Sequence, residues 1–205
     1  MRNSNSIVKN TLVLFVIAVI LAAVLGVVNE LTKDRIAEQE EKTKSEAYQA
    51  VYTEAVSFEE DEELTAKVAE AESLLAEIDN SSTIEEALVA VDASGNVLGI
   101  VVNITNPEGY GGDINLSIGV STDGTMTGMK VVSNDETAGL GANCTKDSFQ
   151  SQFAGIQSSE ITYSKTGATA DNEIDAISSA TFTTSSCVNA VNAGLAFAYD
   201  YLGLN

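Results

Sequence analysis

The chain has 205 residues, material for about one domain beside a membrane segment. Ten Lys and Arg against thirty Asp and Glu give a formal net charge of −20, the wrong sign for a surface that neutralises phosphates, so no nucleic-acid partner is expected. There is no His, which removes the commonest general base and zinc ligand together with the Ser-His and Cys-His couples of hydrolases; neither a catalytic triad nor a metal site is expected. With 44% hydrophobic residues the chain can still bury a core.

Residues 10–29 carry no charge. Twenty helical residues, at about 1.5 Å each, cross the roughly 30 Å hydrocarbon core of a bilayer. A cleaved signal peptide has a shorter apolar core, about 7 to 15 residues, and a small-x-small site after it. Here Val24-Leu25-Gly26 is the one fair candidate and no Cys follows for a lipid anchor, so a retained, single-pass anchor is the expectation. Arg2 and Lys9 precede the segment, whereas Glu30, Lys33, Asp34 and Arg35 mix signs after it. By the positive-inside rule the N-terminus is cytoplasmic and the chain beyond about Leu31 is extracytoplasmic.

Residues 30–83 form an acidic segment rich in Ala, Glu and Leu, without Gly or Pro, which predicts two or three helices. The run Glu59-Glu60-Asp61-Glu62-Glu63 lacks the spaced ligands of a Ca²⁺ loop and reads as a helix start. Leu64, Val68, Leu74, Leu75 and Ile78 then form an apolar stripe. From Ile84 the pattern changes to strands. A first pair surrounds Ser94-Gly95-Asn96, and a second, with Ile114, Leu116, Ile118 and Val120 alternating, turns at Thr122-Asp123-Gly124. Val188, Val191, Leu195, Ala198 and Leu202 mark a C-terminal helix. The expected fold is α+β: a transmembrane helix within 1–29, the acidic helical segment 30–83, and an antiparallel β-meander domain with helices over 84–205.

Three stretches are richer in Gly and hydroxyls than turns require: Glu108-Gly109-Tyr110-Gly111-Gly112, Glu136-Thr137-Ala138-Gly139-Leu140-Gly141, and Asp175-Ala176-Ile177-Ser178-Ser179-Ala180-Thr181. The third opens the C-terminal helix, whose free N–H groups and positive dipole end can hold a phosphate. After Glu86 the only cations are Lys130, Lys146 and Lys165, so a phosphorylated ligand here would rely on backbone, hydroxyls or a covalent bond.

DAISSAT at 175–181 resembles the flavinylation motif D-x-x-[ST]-G-A-[ST] of FMN-binding domains, in which the last hydroxyl carries FMN as a phosphoester made by a flavin transferase. GYGGDI (109–114), ETAGLGA (136–142, against a family ETPGLG) and SFQSQF (148–153) occur in the order of that family. With the N-terminal anchor, the chain resembles the G subunits of Rnf electron-transport complexes, relatives of the C subunits of sodium-pumping NADH:quinone reductases. Two positions depart from the pattern: Ser179 stands where the motif has Gly, and Ala138 where the family has Pro. A second run, Thr166-Gly167-Ala168-Thr169, keeps the Gly but has Tyr163 where the motif needs Asp, and no helical pattern follows it.

The resemblance implies FMN bound covalently through Thr181, with Ser178, Ser179, Ala180 and the helix start holding the phosphate and Asp175 serving the transferase or a local cap. It implies that Glu136, Thr137, Gly139, Leu140 and Gly141 line the flavin ring and that Lys165 faces the phosphate. Tyr110 either stacks on the ring or packs on the sheet. Cys144 and Cys187 either pair as a disulfide or stay separate buried thiols; two Cys alone hold no iron-sulfur cluster. The function implied is an electron-carrier subunit, no catalyst by itself, passing electrons among other subunits of a membrane complex that couples ferredoxin and NAD to ion movement. The alternative is an anchored extracytoplasmic ligand-binding or assembly module without redox work.

Overall fold

The computed structural model describes residues 4–78 and 80–204, with side chains from residue 7 onward; Arg2 lies outside them. The chain divides into two units between Thr43 and Lys44. A helix, α1 (Ser4–Val51), makes up the described part of the first unit and reaches into the second. From Ile7 to Leu31 its apolar side chains lie open on every side, Leu12, Phe15 and Leu25 each by more than 60%. A helix that is apolar all round and has no protein against it is built to be covered by lipid. Among the described residues it is the one helix long and apolar enough to cross a membrane.

The second unit is built on a five-stranded antiparallel sheet in sequential order: β1 (Ser57–Glu59), β2 (Thr83–Val91), β3 (Val97–Asn106), β4 (Ile114–Ser121) and β5 (Met126–Asn134). The expected meander is therefore present from β2 to β5, with β1 added at its edge. β1 interrupts the stretch that composition alone reads as helical throughout: Ser57 pairs with Val91 and Glu59 with Val89, while Phe58 turns in against Tyr48, ring centres 5.8 Å apart. Tertiary pairing overrides helix propensity there.

Alternation sorts the strand residues onto two faces. Ile100, Val102, Ile104, Leu116, Ile118 and Val120 face one way and bury against α2 (Glu62–Glu77) and α4 (Thr181–Leu202). Leu88, Ala90 and Val101 face the other way and take the end of α1, through Tyr48 and Val51, and Tyr52 just after it. Tyr48 donates to Glu86 at 2.5 Å and Tyr52 to the Leu98 carbonyl at 2.7 Å. The acidic run starts α2 as its charge predicts: Asp61 caps it, accepting from the Leu64 N–H at 2.8 Å, and Glu62 and Glu63 occupy the first turn.

After β5 the chain makes a short 3₁₀ turn (Gly141–Thr145), α3 (Asp147–Gln150) and a second turn (Ser151–Phe153), then a parallel pair, β6 (Thr162–Ser164) with β7 (Glu173–Asp175). SFQSQF supplies the joints here. Buried Gln150 accepts from the Val131 N–H at 2.9 Å, and Gln152 accepts from the Asp175 N–H at 2.7 Å. Phe149 and Phe153 meet edge to face in the core.

Candidate functional site

The start of α4 is preceded by a turn in which the Ala180 N–H reaches the Ile177 carbonyl at 3.1 Å. Ser179, the third residue of that turn, has φ +62°, and it is the one non-glycine residue with positive φ among those described. This is the conformation for which Gly is the default residue, which accounts for the Gly of the flavinylation motif at this place. Buried Thr184 fastens the turn: its hydroxyl accepts from the Ile177 N–H at 3.0 Å and donates to the Ala180 carbonyl at 2.9 Å. Thr181 is the first helical residue, exposed, and no side chain caps the helix in front of it.

Glu136 joins its own loop to the 109–112 loop and to the first turn of α4. One carboxylate oxygen accepts from the Gly111 N–H at 3.0 Å, and the other from the Thr183 hydroxyl at 2.6 Å. Two glycines make room for this: a Cβ at Gly141 would strike both the Glu136 carboxylate and the Thr183 hydroxyl, and one at Gly111 would strike the Asp135 carbonyl. The result is a cleft of about 440 Å³ lined by Tyr110, Glu136, Thr137, Leu140, Gly141, Ser179, Ala180, Thr181, Phe182 and Thr183. That volume lies within the roughly 300–1,000 Å³ of small-molecule sites. Tyr110, Leu140 and Phe182 expose apolar surface at its rim, the Tyr110 and Phe182 rings 6.4 Å apart and tilted. The cleft offers planar apolar walls, a free hydroxyl and an uncapped helix start, which suit an aromatic ring carrying a phosphate.

Of the residues singled out from sequence, Tyr110, Glu136, Thr137, Leu140, Gly141, Ser179, Ala180 and Thr181 meet in this cleft. Gly139 turns the loop behind it at φ +80° without lining it. Ser178 and Asp175 line an adjoining hollow of about 420 Å³ together with Lys146. Asp175 does not cap α4: its carboxylate accepts from the Ala168 N–H at 2.6 Å and so shapes the loop that follows exposed Lys165, which reaches neither lining. The competing Thr169 hydroxyl is turned toward Glu173, at 3.4 Å, in that same loop. Phe182 and Thr183 also line the cleft, and sequence reasoning does not single them out. Phe182 reads as part of an apolar helix pattern, and Thr183 gains its role only from a partner 47 residues away.

Cys144 and Cys187 are free thiols, both buried in the main core. Hydrogen bonding with Cys144 pushes the Cys187 thiol up, and burial and the charge of Glu136 add to this.

Comparison with known proteins fits this geometry. The FMN-binding domain family model matches residues 109–196, the span that holds every residue of the cleft, and the model of the RnfG N-terminal region matches residues 1–51. The chain is thus a protein with an FMN-binding domain behind an apolar N-terminal helix. It is 32% identical over 187 residues to the G subunit of the Na⁺-translocating ferredoxin:NAD⁺ oxidoreductase complex of Acetobacterium woodii, covering 90% of this chain and 87% of that one. It is 30% identical to the G subunit of the ion-translocating oxidoreductase complex of Methanosarcina acetivorans, over 98% and 97% of the two chains. The chain belongs to this family of G subunits of ion-translocating oxidoreductase complexes. Among solved structures, the C subunit of the Na⁺-translocating NADH-quinone reductase of Parabacteroides distasonis is 22% identical with a TM-score of 0.49, over 58% of this chain and 62% of that one.

Proposed function

We propose that this chain is a membrane-anchored electron carrier holding FMN as a phosphoester on Thr181, and that it passes electrons between other subunits of a ferredoxin:NAD oxidoreductase complex coupled to ion movement. The observation that carries the reading is the exposed Thr181 hydroxyl at the uncapped first residue of α4, opening into the cleft rimmed by Tyr110, Leu140 and Phe182. Attachment by a flavin transferase joins Thr181 Oγ1 to the FMN phosphorus. The hydroxyl proton is lost, and the phosphorus–oxygen bond to the other half of a flavin dinucleotide donor breaks.

When bound, FMN supplies one- and two-electron transfer. The chain's residues place it. Ser179 and the first N–H groups of α4 would hold the phosphate oxygens, and Leu140, Phe182, Thr137 and Glu136, which line the same cleft, would hold the ring and keep water from it. Lys9 before the uncharged stretch supports a cytoplasmic N-terminus and an extracytoplasmic flavin domain. There, covalent attachment prevents loss of the flavin to a dilute compartment.

The test is co-expression with a flavin transferase, followed by intact-chain mass and in-gel flavin fluorescence after denaturation. Thr181→Ala should lose the flavin mass and Thr169→Ala should keep it. Flavin on a Thr169 peptide, or none on the wild-type chain, overturns the assignment. A C-terminal reporter that is active only in the cytoplasm overturns the orientation.

A further inference from the structure

One wall of the flavin cleft carries a negative charge with no cation facing it. Among the described residues that line the cleft, Glu136 and Tyr110 are the titratable ones and none is Lys or Arg. The two donors that hold Glu136, the Gly111 N–H and the Thr183 hydroxyl, are neutral: they fix the carboxylate's position and leave its charge in place. Cys144 and Cys187 are both fully buried, and the charge of Glu136 acts on both thiols. Of the charged groups nearby, Asp135 precedes Glu136 in the chain, is exposed and adds negative charge, while the cations lie outside the lining. Lys146 lines the adjoining hollow, Lys165 is exposed beyond β6, and Asp175 is held by Ala168.

Resting on the FMN reading of this cleft, we infer that Glu136 sets the protonation of the reduced flavin as well as joining the walls of its site. A fixed carboxylate beside the ring disfavours a second negative charge there. Reduction by two electrons therefore takes up two protons from solvent, leaving a neutral reduced ring, to a higher pH than it would without Glu136. Above that pH only one proton is taken up, and the negative charge then left on the ring is opposed by the carboxylate, which lowers the midpoint potential. The effect expected at this half-buried position is about tenfold in the proton affinity of the reduced ring.

The experiment is a spectroelectrochemical titration of the flavinylated protein from neutral to mildly alkaline pH, with in-gel fluorescence first establishing that each variant is loaded. In Glu136→Gln, which keeps the shape and can still accept from the Gly111 N–H while its amide donates to a Thr183 hydroxyl turned to accept, the change from two protons to one should move to lower pH and the midpoint potential above it should rise. Thr137→Lys supplies the missing cation from an exposed position in the same lining and should shift the profile in the same direction; it decides the matter if the Gln variant does not load. Loaded variants with the wild-type pH profile overturn the inference while leaving the FMN reading intact. A wild-type chain without flavin overturns the FMN reading and the inference with it.

Discussion

The hydroxyl of Thr184, fully buried on α4, accepts the backbone N–H of Ile177 seven residues upstream, at 3.0 Å. Because the same hydroxyl donates to Ala180, the turn that presents Ser179 and Thr181 is fastened to the helix it precedes. Thr184→Val keeps the volume, strands the buried Ile177 donor and should cost about 1–3 kcal/mol in urea unfolding. If Thr181 is the acceptor proposed above, flavinylation should fall with it, because its hydroxyl is no longer held in one geometry. Unchanged stability together with full flavin yield would show that the turn holds itself.

Ser179 at φ +62° carries a backbone cost that Gly avoids. Ser179→Gly should stabilise the domain by about 1 kcal/mol and keep or raise the flavin yield. A sharp fall in yield, read by in-gel fluorescence, would mean that the Ser179 side chain is itself a specific phosphate ligand.

On the opposite face of the sheet, burial first, then the charges of Glu54 and Asp123, push Tyr52 up from 10.0 to about 12. The folded state thus favours the neutral phenol. Its contribution to stability is fully present below about pH 10 and is lost as pH rises through about 12. Tyr52→Phe removes the hydrogen bond to Leu98 and should cost about 1 kcal/mol at neutral pH. Between pH 10 and 12 the variant's stability should fall less steeply than the wild type's, measured by urea midpoints across that window. Parallel alkaline limbs would assign the alkaline loss to other tyrosines.

The last expectation concerns electron flow. The cleft is lined without His, Lys or Arg, so it offers no cationic side chain to pair with an acidic or phosphorylated substrate. The purified, flavinylated chain should accept electrons from dithionite yet oxidise no NADH by itself, and Thr181→Ala should stop electron flow through the assembled complex. Brisk NADH turnover by the isolated chain, or an unimpaired complex containing Thr181→Ala, would refute the carrier role.

The sequence by itself determined the apolar helix, the strand alternation from β2 to β5, the position of α4 and the order of the motifs. Each of these is written in local periodicity or in contiguous residues, where the side-chain pattern follows backbone geometry directly. Tertiary structure alone decided the rest. Edge strand β1 exists because Ser57 and Glu59 find β2, and the parallel β6 and β7 pair because Thr162 and Ser164 find Glu173 and Asp175. Asp175 turned out to hold Ala168 instead of the helix, and Glu136 became the joint of the cleft only when Gly111 and Thr183 came within hydrogen-bond reach. A hydrogen bond between side chain and backbone across 25 residues, or between two side chains across 47, leaves no period in the sequence. It forms where the sheet and the helix docked on it bring two loops together, and that docking depends on the packing of the whole core.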